Sequence, residues 1–344
     1  MIARKHLRRT AAAALGLVLA AASAAYGQEF FKGKNVHFVV GYSPGGIFDV
    51  YTRAIARHMG KHIPGNPTTV VENMPGAGGS IAANHIYNRA KPDGLSIGAW
   101  AAPLVLQQIM GNPAMQFDGR RFGYLGVPSF NDTTCFFSAE SGIKTMDDWI
   151  AAKRPITLSA IGPGTSTSDV PKIMKVALNL PMSVVDGYKG GADARLAVIN
   201  REVDGHCSSW QSAKAVWRSD LESGRIRLVV QMNVKRHAEL KNVALAVDYA
   251  KTDEARRLLK IADDAHGYQF PYSVPPGVPQ DRLEILQKAF IDTLKDPEFL
   301  AEAKKASLEI EPVDGPTMTK AAAGLYDIDA RTISKLVTIL VPKK

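Results

Sequence analysis

"VVGYSPGGIFDV", residues 39–50, closes an apolar run (Val36, Phe38, Val39, Val40) and opens a glycine-bearing turn. Beyond the turn, Tyr51, Ala54, Ile55 and Met59 recur at helical spacing, so the stretch reads as strand 36–40, loop 41–48 and a helix over about 49–61. The same unit recurs three times. Strand 68–72 ("TTVVE") leads through "NMPGAGG" to a helix beginning near Ser80. Strand 156–160 ("ITLSA") leads through "IGPGTSTS" to a helix from about Asp169, striped by Val170, Ile173, Met174, Ala177 and Leu178. Strand 183–186 leads through "GYKGG" to a helix over 192–200, followed by strand 202–207. Repeated strand–loop–helix units specify an α/β fold with mostly parallel sheets, and ligands of such folds sit at the carboxyl ends of the strands, where these loops lie.

The units come in two pairs, separated by "DGRRFGYLGVPSFNDTTCFFSAESG" (118–142) with its strand-like "TTCFF". A strand in "GRIRLVVQM" (224–232) can lead back to the first half. A helix with Leu283, Leu286, Phe290 and Leu294 inward then follows, with a short helix after Pro297, a strand "LEIEPV" and a last helix from about Pro316. The simplest arrangement is two lobes joined by two hinge segments with a ligand cleft between them. Lobe 1 is 28–128 plus 232–312, lobe 2 is 129–231, and 313–344 forms a C-terminal helix and tail.

The first 27 residues read as a secretory signal peptide. Arg4, Lys5, Arg8 and Arg9 precede the apolar run Ala11–Ala22, and small residues follow in "AASAAYGQ". The run is shorter than the roughly 18 apolar residues that a membrane span needs. Cleavage is expected after Gly27, with Ala24 or Ala25 as second choices. Four of the cations behind the formal net charge of +9 belong to this leader, so the remainder is mildly basic and carries no Lys/Arg run for nucleic acid. The expected location is the periplasm. Cys135 and Cys207 are the only cysteines. In an oxidising compartment they invite one disulfide, with two buried thiols as the alternative. No Cys/His spacing typical of a metal site is present, and neither a metal nor a cofactor is expected.

Gly41-Tyr42-Ser43-Pro44-Gly45 matches the G-x-S-x-G of a hydrolase nucleophile elbow. That elbow uses the N–H after the serine as an oxyanion donor, and Pro44 has none. A periplasmic serine hydrolase built on Ser43 is therefore the alternative reading, and the chain is not expected to be an enzyme. The "GAGG" turn fails as a dinucleotide fingerprint because the sixth position counted from Gly76 is Ile81. What remains are glycine loops feeding helix N-termini, which attract anions.

"VVGYSPGGIFD", "VENMPGAGGS", "KPDGLSIGA", "GPGTSTS", "YKGGADARLAVINREVDG" and "KDPEFL" resemble, in order and spacing, the Bug-type receptors. These are the extracytoplasmic substrate-binding proteins of tripartite tricarboxylate transporters. The resemblance spans nearly the whole chain beyond the leader. It implies a type II-like, two-lobed periplasmic binding protein, a monomer that captures a small organic acid and delivers it to integral-membrane permease subunits. By motif match, the ligand-binding candidates in lobe 1 are Ser43, Gly45, Gly46, Phe48 and Asp49, with Gly76, Ala77, Gly78, Gly79 and Ser80. Lobe 2 supplies Thr165, Ser166, Ser168, Tyr188, Lys189 and Gly190. Asp49 also suits a helix cap, and a carboxylate beside a bound carboxylate would repel it. Phe48 stands where relatives carry small polar residues, and "TSTSDVPKIM" lacks their histidine, which implies a bulkier or more apolar ligand than citrate. Trp100 and Trp210 suit core packing as well as a pocket wall, and Asp204 reads as structural.

Overall fold

The computed structural model describes residues 30–341, so the expected signal peptide and its cleavage site lie outside the described residues. The chain divides into two compact units. Of the described residues, one unit comprises 30–100 with Arg121–Pro128 and Pro271–Pro316, and the other comprises Ala101–Arg120, Ser129–Phe270 and 317–341.

In the first unit, β1 (Asn35–Val40) pairs in parallel with β2 (Thr68–Asn73) on one side and β3 (Ser96–Ala99) on the other. Val36, Phe38 and Val40 are fully buried and Val39 nearly so, because β1 is covered on both faces. This is why it reads as a continuous apolar run. The helix Ile47–Met59 buries Tyr51, Ala54, Ile55 and Met59, the stripe set by their spacing. The sheet continues through β4 (Gly123–Val127), and two later strands complete it.

In the second unit, β5 (Thr133–Ser138) is antiparallel to two partners. β6 (Ile156–Ala160), β7 (Met182–Asp186) and β8 (Gly205–Ser209) run parallel to one another, and β9 (Ile226–Gln231) with the short β10 (Ala244–Leu245) lies on the far side of β5. The chain then returns to the first sheet with β11 (Tyr272–Val274) and β12 (Val313–Asp314). The orders are β12-β4-β11-β3-β1-β2 and β10-β9-β5-β8-β6-β7. Both sheets are mixed: the strands run mostly parallel, with β11 antiparallel to β3 and β4, β12 antiparallel to β4, and β5 antiparallel to β8 and β9. The expected strand "LEIEPV" shrinks to Val313–Asp314; Pro312 has no N–H to give a ladder.

The return to the first unit falls at 270/271, not at 231/232. The helix Asp253–Gly267 packs on the helix Ser166–Leu178, and β10 pairs with β9, so residues 232–270 stay in the second unit. The last helix is two helices, Gly315–Gly324 and Ala330–Leu340, the latter capped by Asp329 accepting from Thr332 N–H at 2.9 Å. It too packs against Ser166–Leu178, which places the tail in the second unit.

Cys135 and Cys207 face each other in register on β5 and β8 and form a disulfide, with Cα atoms 4.0 Å apart. The bridge lies in the second unit's core among Phe137, Trp149, Met174, Val230 and Leu259. Trp100 is fully buried and donates to Ser273 Oγ at 2.8 Å, so it is a core residue of the first unit.

Candidate functional site

Because β1 and β2 are neighbouring parallel strands with Val40 opposite Asn73, the loops after them emerge side by side. Gly41 has no side chain for a physical reason: a Cβ there would stand 3.1 Å from Gly79 Cα and 3.3 Å from Ala82 Cβ. The two loops are in backbone contact. Across this contact Tyr42 Oη donates to the Gly78 carbonyl at 2.9 Å, and its ring stacks on Phe48 with centroids 4.0 Å apart. Burial pushes the Tyr42 phenol well above its usual range, so it stays a donor.

Asp49 is the centre of the arrangement. Its Oδ2 accepts from Gly45 N–H at 2.8 Å and from Arg53 Nε at 2.9 Å, and its Oδ1 accepts from Asn73 Nδ2 at 2.8 Å. Asn73 Nδ2 also donates to the Tyr42 carbonyl at 2.9 Å, and Asn73 Oδ1 accepts from Arg53 Nη2 at 2.8 Å. Burial works to raise the Asp49 pKa, but the bonds from Arg53, Gly45 and Asn73 outweigh it and hold the carboxyl below its ordinary value. A buried carboxylate thus ties loop 41–46, the first turn of its helix and the end of β2 into one rigid body.

The second loop bends the opposite way from ordinary backbone. Gly76, Ala77, Gly78 and Gly79 all have positive φ, at 136°, 45°, 65° and 93°. Ala77 is the one residue of the four with a Cβ to strain. At Gly79 a Cβ would meet the Tyr42 ring at 3.1 Å, while at Gly78 it would meet nothing within 4 Å.

The candidates therefore separate by position. Ser43, Gly45, Gly46, Ala77 and Gly78 are exposed. Phe48 is 7% exposed and stacked under Tyr42, Asp49 is occupied by the loop itself, and Gly79 and Ser80 are buried beneath the turn. Helices Ile47–Met59 and Ser80–Asn88 begin here, and first-turn amides such as that of Ile47 have no partner within their helix. Two such ends offer an anion roughly half a charge each plus directed N–H donors.

The second unit repeats the device. Gly164 follows a proline, as Gly45 does, has φ 85°, and donates its N–H to Asp169 Oδ1 at 3.0 Å. Thr165 Oγ1 donates to the Gly162 carbonyl at 2.6 Å, and Thr167 Oγ1 accepts from Ile161 N–H at 3.1 Å. The loop after β7 is tied in by Gly187 N–H to the Ile161 carbonyl and Tyr188 N–H to the Ala160 carbonyl. Ser166 and Ser168 are buried, Lys189 is exposed, Tyr188 is half-buried, and Gly190 is the N-cap of Gly191–Ile199. Unlike Asp49, Asp169 has no arginine partner among the described residues, and burial pushes it up to about 7. His266 Nε2 lies 3.7 Å from its Oδ2, and burial pushes that imidazole down to about 4.

Sequence reasoning named both loops of the first unit but missed Asn73 and Arg53, which lock them. Arg53 lies four residues beyond Asp49, a spacing from which the ion pair was legible. Asn73 carries no such signal. Chain folding also brings His58, Asp296 and Glu298 within 4.8 Å of one another, a metal-like set that sequence spacing does not show. Lys61 Nζ bridges those two carboxylates at 2.8 and 2.5 Å, so an ammonium already balances them.

Residues 51–323 match the model of the tripartite tricarboxylate transporter family receptor. The chain belongs to this receptor family. It is 30% identical over 246 residues to the UPF0065 protein in the gbd 5' region of Cupriavidus necator, covering 68% of this chain and 69% of that one. Its fold is similar to a TctC solute-binding protein from Polaromonas, with TM-score 0.71 and 18% identity over 89% of this chain and 98% of that one. It is also similar to an R. palustris protein solved with adipate, with TM-score 0.65 and 17% identity over 89% and 98%. The family's members are solute-binding receptors, and these folds are two-lobed periplasmic binding proteins.

Proposed function

We propose that this protein is a periplasmic receptor that captures a small organic carboxylate on the paired loops 43–49 and 75–80 and delivers it to the membrane permease of a tripartite transporter. The observation that carries the reading is the locked loop pair. Asp49, Asn73, Arg53 and Tyr42 fix the loops before any ligand arrives, while the outward surface consists of Ser43, Gly45, Gly46, Ala77 and Gly78 at two helix starts. Such preorganisation lowers the cost of binding. The carboxylate is held by backbone N–H groups, and the Ser43 hydroxyl is at most one donor among several. The adipate-bound relative supports a carboxylate ligand.

A thermal-shift screen of mono-, di- and tricarboxylates tests this. A ligand at about 100 times its Kd stabilises by roughly 2.7 kcal/mol. No stabilisation by any carboxylate removes the reading. Ser43 is exposed at a strand–turn–helix junction, which keeps the hydrolase alternative testable. Turnover of activated esters that Ser43→Ala abolishes would establish it instead.

A further inference from the structure

Among the described residues, the first unit leaves three large apolar side chains exposed: Ile47 at 50%, Ile81 at 47% and Leu300 at 40%. Two of the three stand on the paired loops. Ile47 is the first residue of the helix after one loop, and Ile81 is the second residue of the helix after the other. Ile81 turns back over its own loop, since its Cδ1 lies 2.6 Å from the point a Cβ on Gly76 would occupy. The neighbouring aromatics do not share this exposure: Phe48 is buried against Tyr42. Exposed apolar side chains gathered at a binding surface mark contact with something apolar.

The charge of the same surface limits what the apolar part is attached to. Two helix starts of about half a positive charge each balance roughly one carboxylate. Arg53, four residues beyond Asp49, is held by Asp49 and Asn73. A ligand bearing hydroxyls or further carboxylates across Ile47 and Ile81 would lose water there without gaining hydrogen-bond partners.

We propose that the ligand presents one carboxylate to the loop amides and lays a hydrocarbon body, aliphatic or aromatic, on Ile47 and Ile81, in preference to a hydroxylated polycarboxylate such as citrate. The inference rests on reading the loops as a carboxylate site, and its test separates the two. Isothermal titration at constant ionic strength compares hexanoate and benzoate with malate and citrate, on the wild type, on Ile47→Ser/Ile81→Ser and on Gly78→Val.

Hexanoate or benzoate should bind at least ten times more tightly than citrate. The double serine variant should lose roughly tenfold or more of that affinity, as expected when a buried apolar contact is replaced by a hydroxyl. Its thermal midpoint should stay at the wild-type value, because both side chains are exposed. Citrate or malate binding more tightly than the hydrocarbon acids, with Gly78→Val abolishing it and the serine variant indifferent, overturns the inference and keeps the carboxylate site. Binding of none of the four acids to the wild type overturns the inference, and the carboxylate site falls with it when the wider carboxylate screen also gives no stabilisation.

Discussion

Asp49→Ala should destabilise the protein by about 3 kcal/mol. The carboxylate accepts three hydrogen bonds, from Gly45 N–H, Arg53 Nε and Asn73 Nδ2, all at 2.8 to 2.9 Å. A hydrogen bond to a charged group contributes about 1.5–3 kcal/mol. The Arg53 side chain is 41% exposed, so water screens its part, and the three bonds share one network and do not add in full. Removing the carboxylate also strands the buried donors it satisfied. Urea unfolding at neutral pH measures the difference. The sign of its pH dependence follows from the lowered pKa: the contribution is present above the unfolded value near 3.8 and is lost as pH falls through the folded value. Wild type and variant should therefore converge in acid. Equal midpoints at neutral pH, or a gap that persists unchanged in acid, would refute Asp49 as the residue that locks the loops.

Gly79→Ala forces a Cβ into the Tyr42 ring at φ 93° and should cost about 1–3 kcal/mol in urea unfolding, whereas Gly78→Val meets no neighbour and should cost only its backbone strain of about 1–2 kcal/mol while abolishing ligand binding. Asp169 and His266 should contribute pH slopes of opposite sign between about pH 4 and 6.5. Asp169 binds a proton that the unfolded state lacks there, and His266 lacks one that the unfolded state binds. Asp169→Asn removes the Asp169 contribution and leaves those of His266 and of buried Asp263, which is raised to about 6, so unfolding measured across pH should show the variant gaining stability relative to wild type as pH rises from about 4 to 7. Cys135→Ser/Cys207→Ser opens a loop with a sequence separation of 72 and should cost about 2–5 kcal/mol in the same assay run without reductant.

The strands and helices legible in the sequence are those whose pattern is local. β1 reads as an apolar run because both its faces are covered, and the helix Ile47–Met59 reads from one stripe. Features set by distant pairing were not legible. β11 enters the sheet between β3 and β4 as three residues, too short for any period, and it makes the sheet mixed. The unit boundary moved to 270/271 because the contact of 253–267 with 166–178 has no local signature. At the site, glycine spacing located the loops, but Asp49 does not cap its helix, whose N-cap is Gly46, and instead accepts from Gly45 N–H in the preceding turn. Phe48 is a ligand-binding candidate by motif match alone, and in the structure it is buried. The stack with Tyr42 that buries it depends on the turn geometry.

In the proposed receptor, backbone amides of the paired loops receive the carboxylate. Amide proton and nitrogen shifts, followed during titration with whichever acid stabilises the protein, report on this directly. The largest shifts, downfield in the proton dimension, should fall at Ile47, Ala77 and Gly78, and Ile47 and Ala77 should not move in Gly78→Val. Saturable binding that leaves those amides unmoved while shifting others would contradict it.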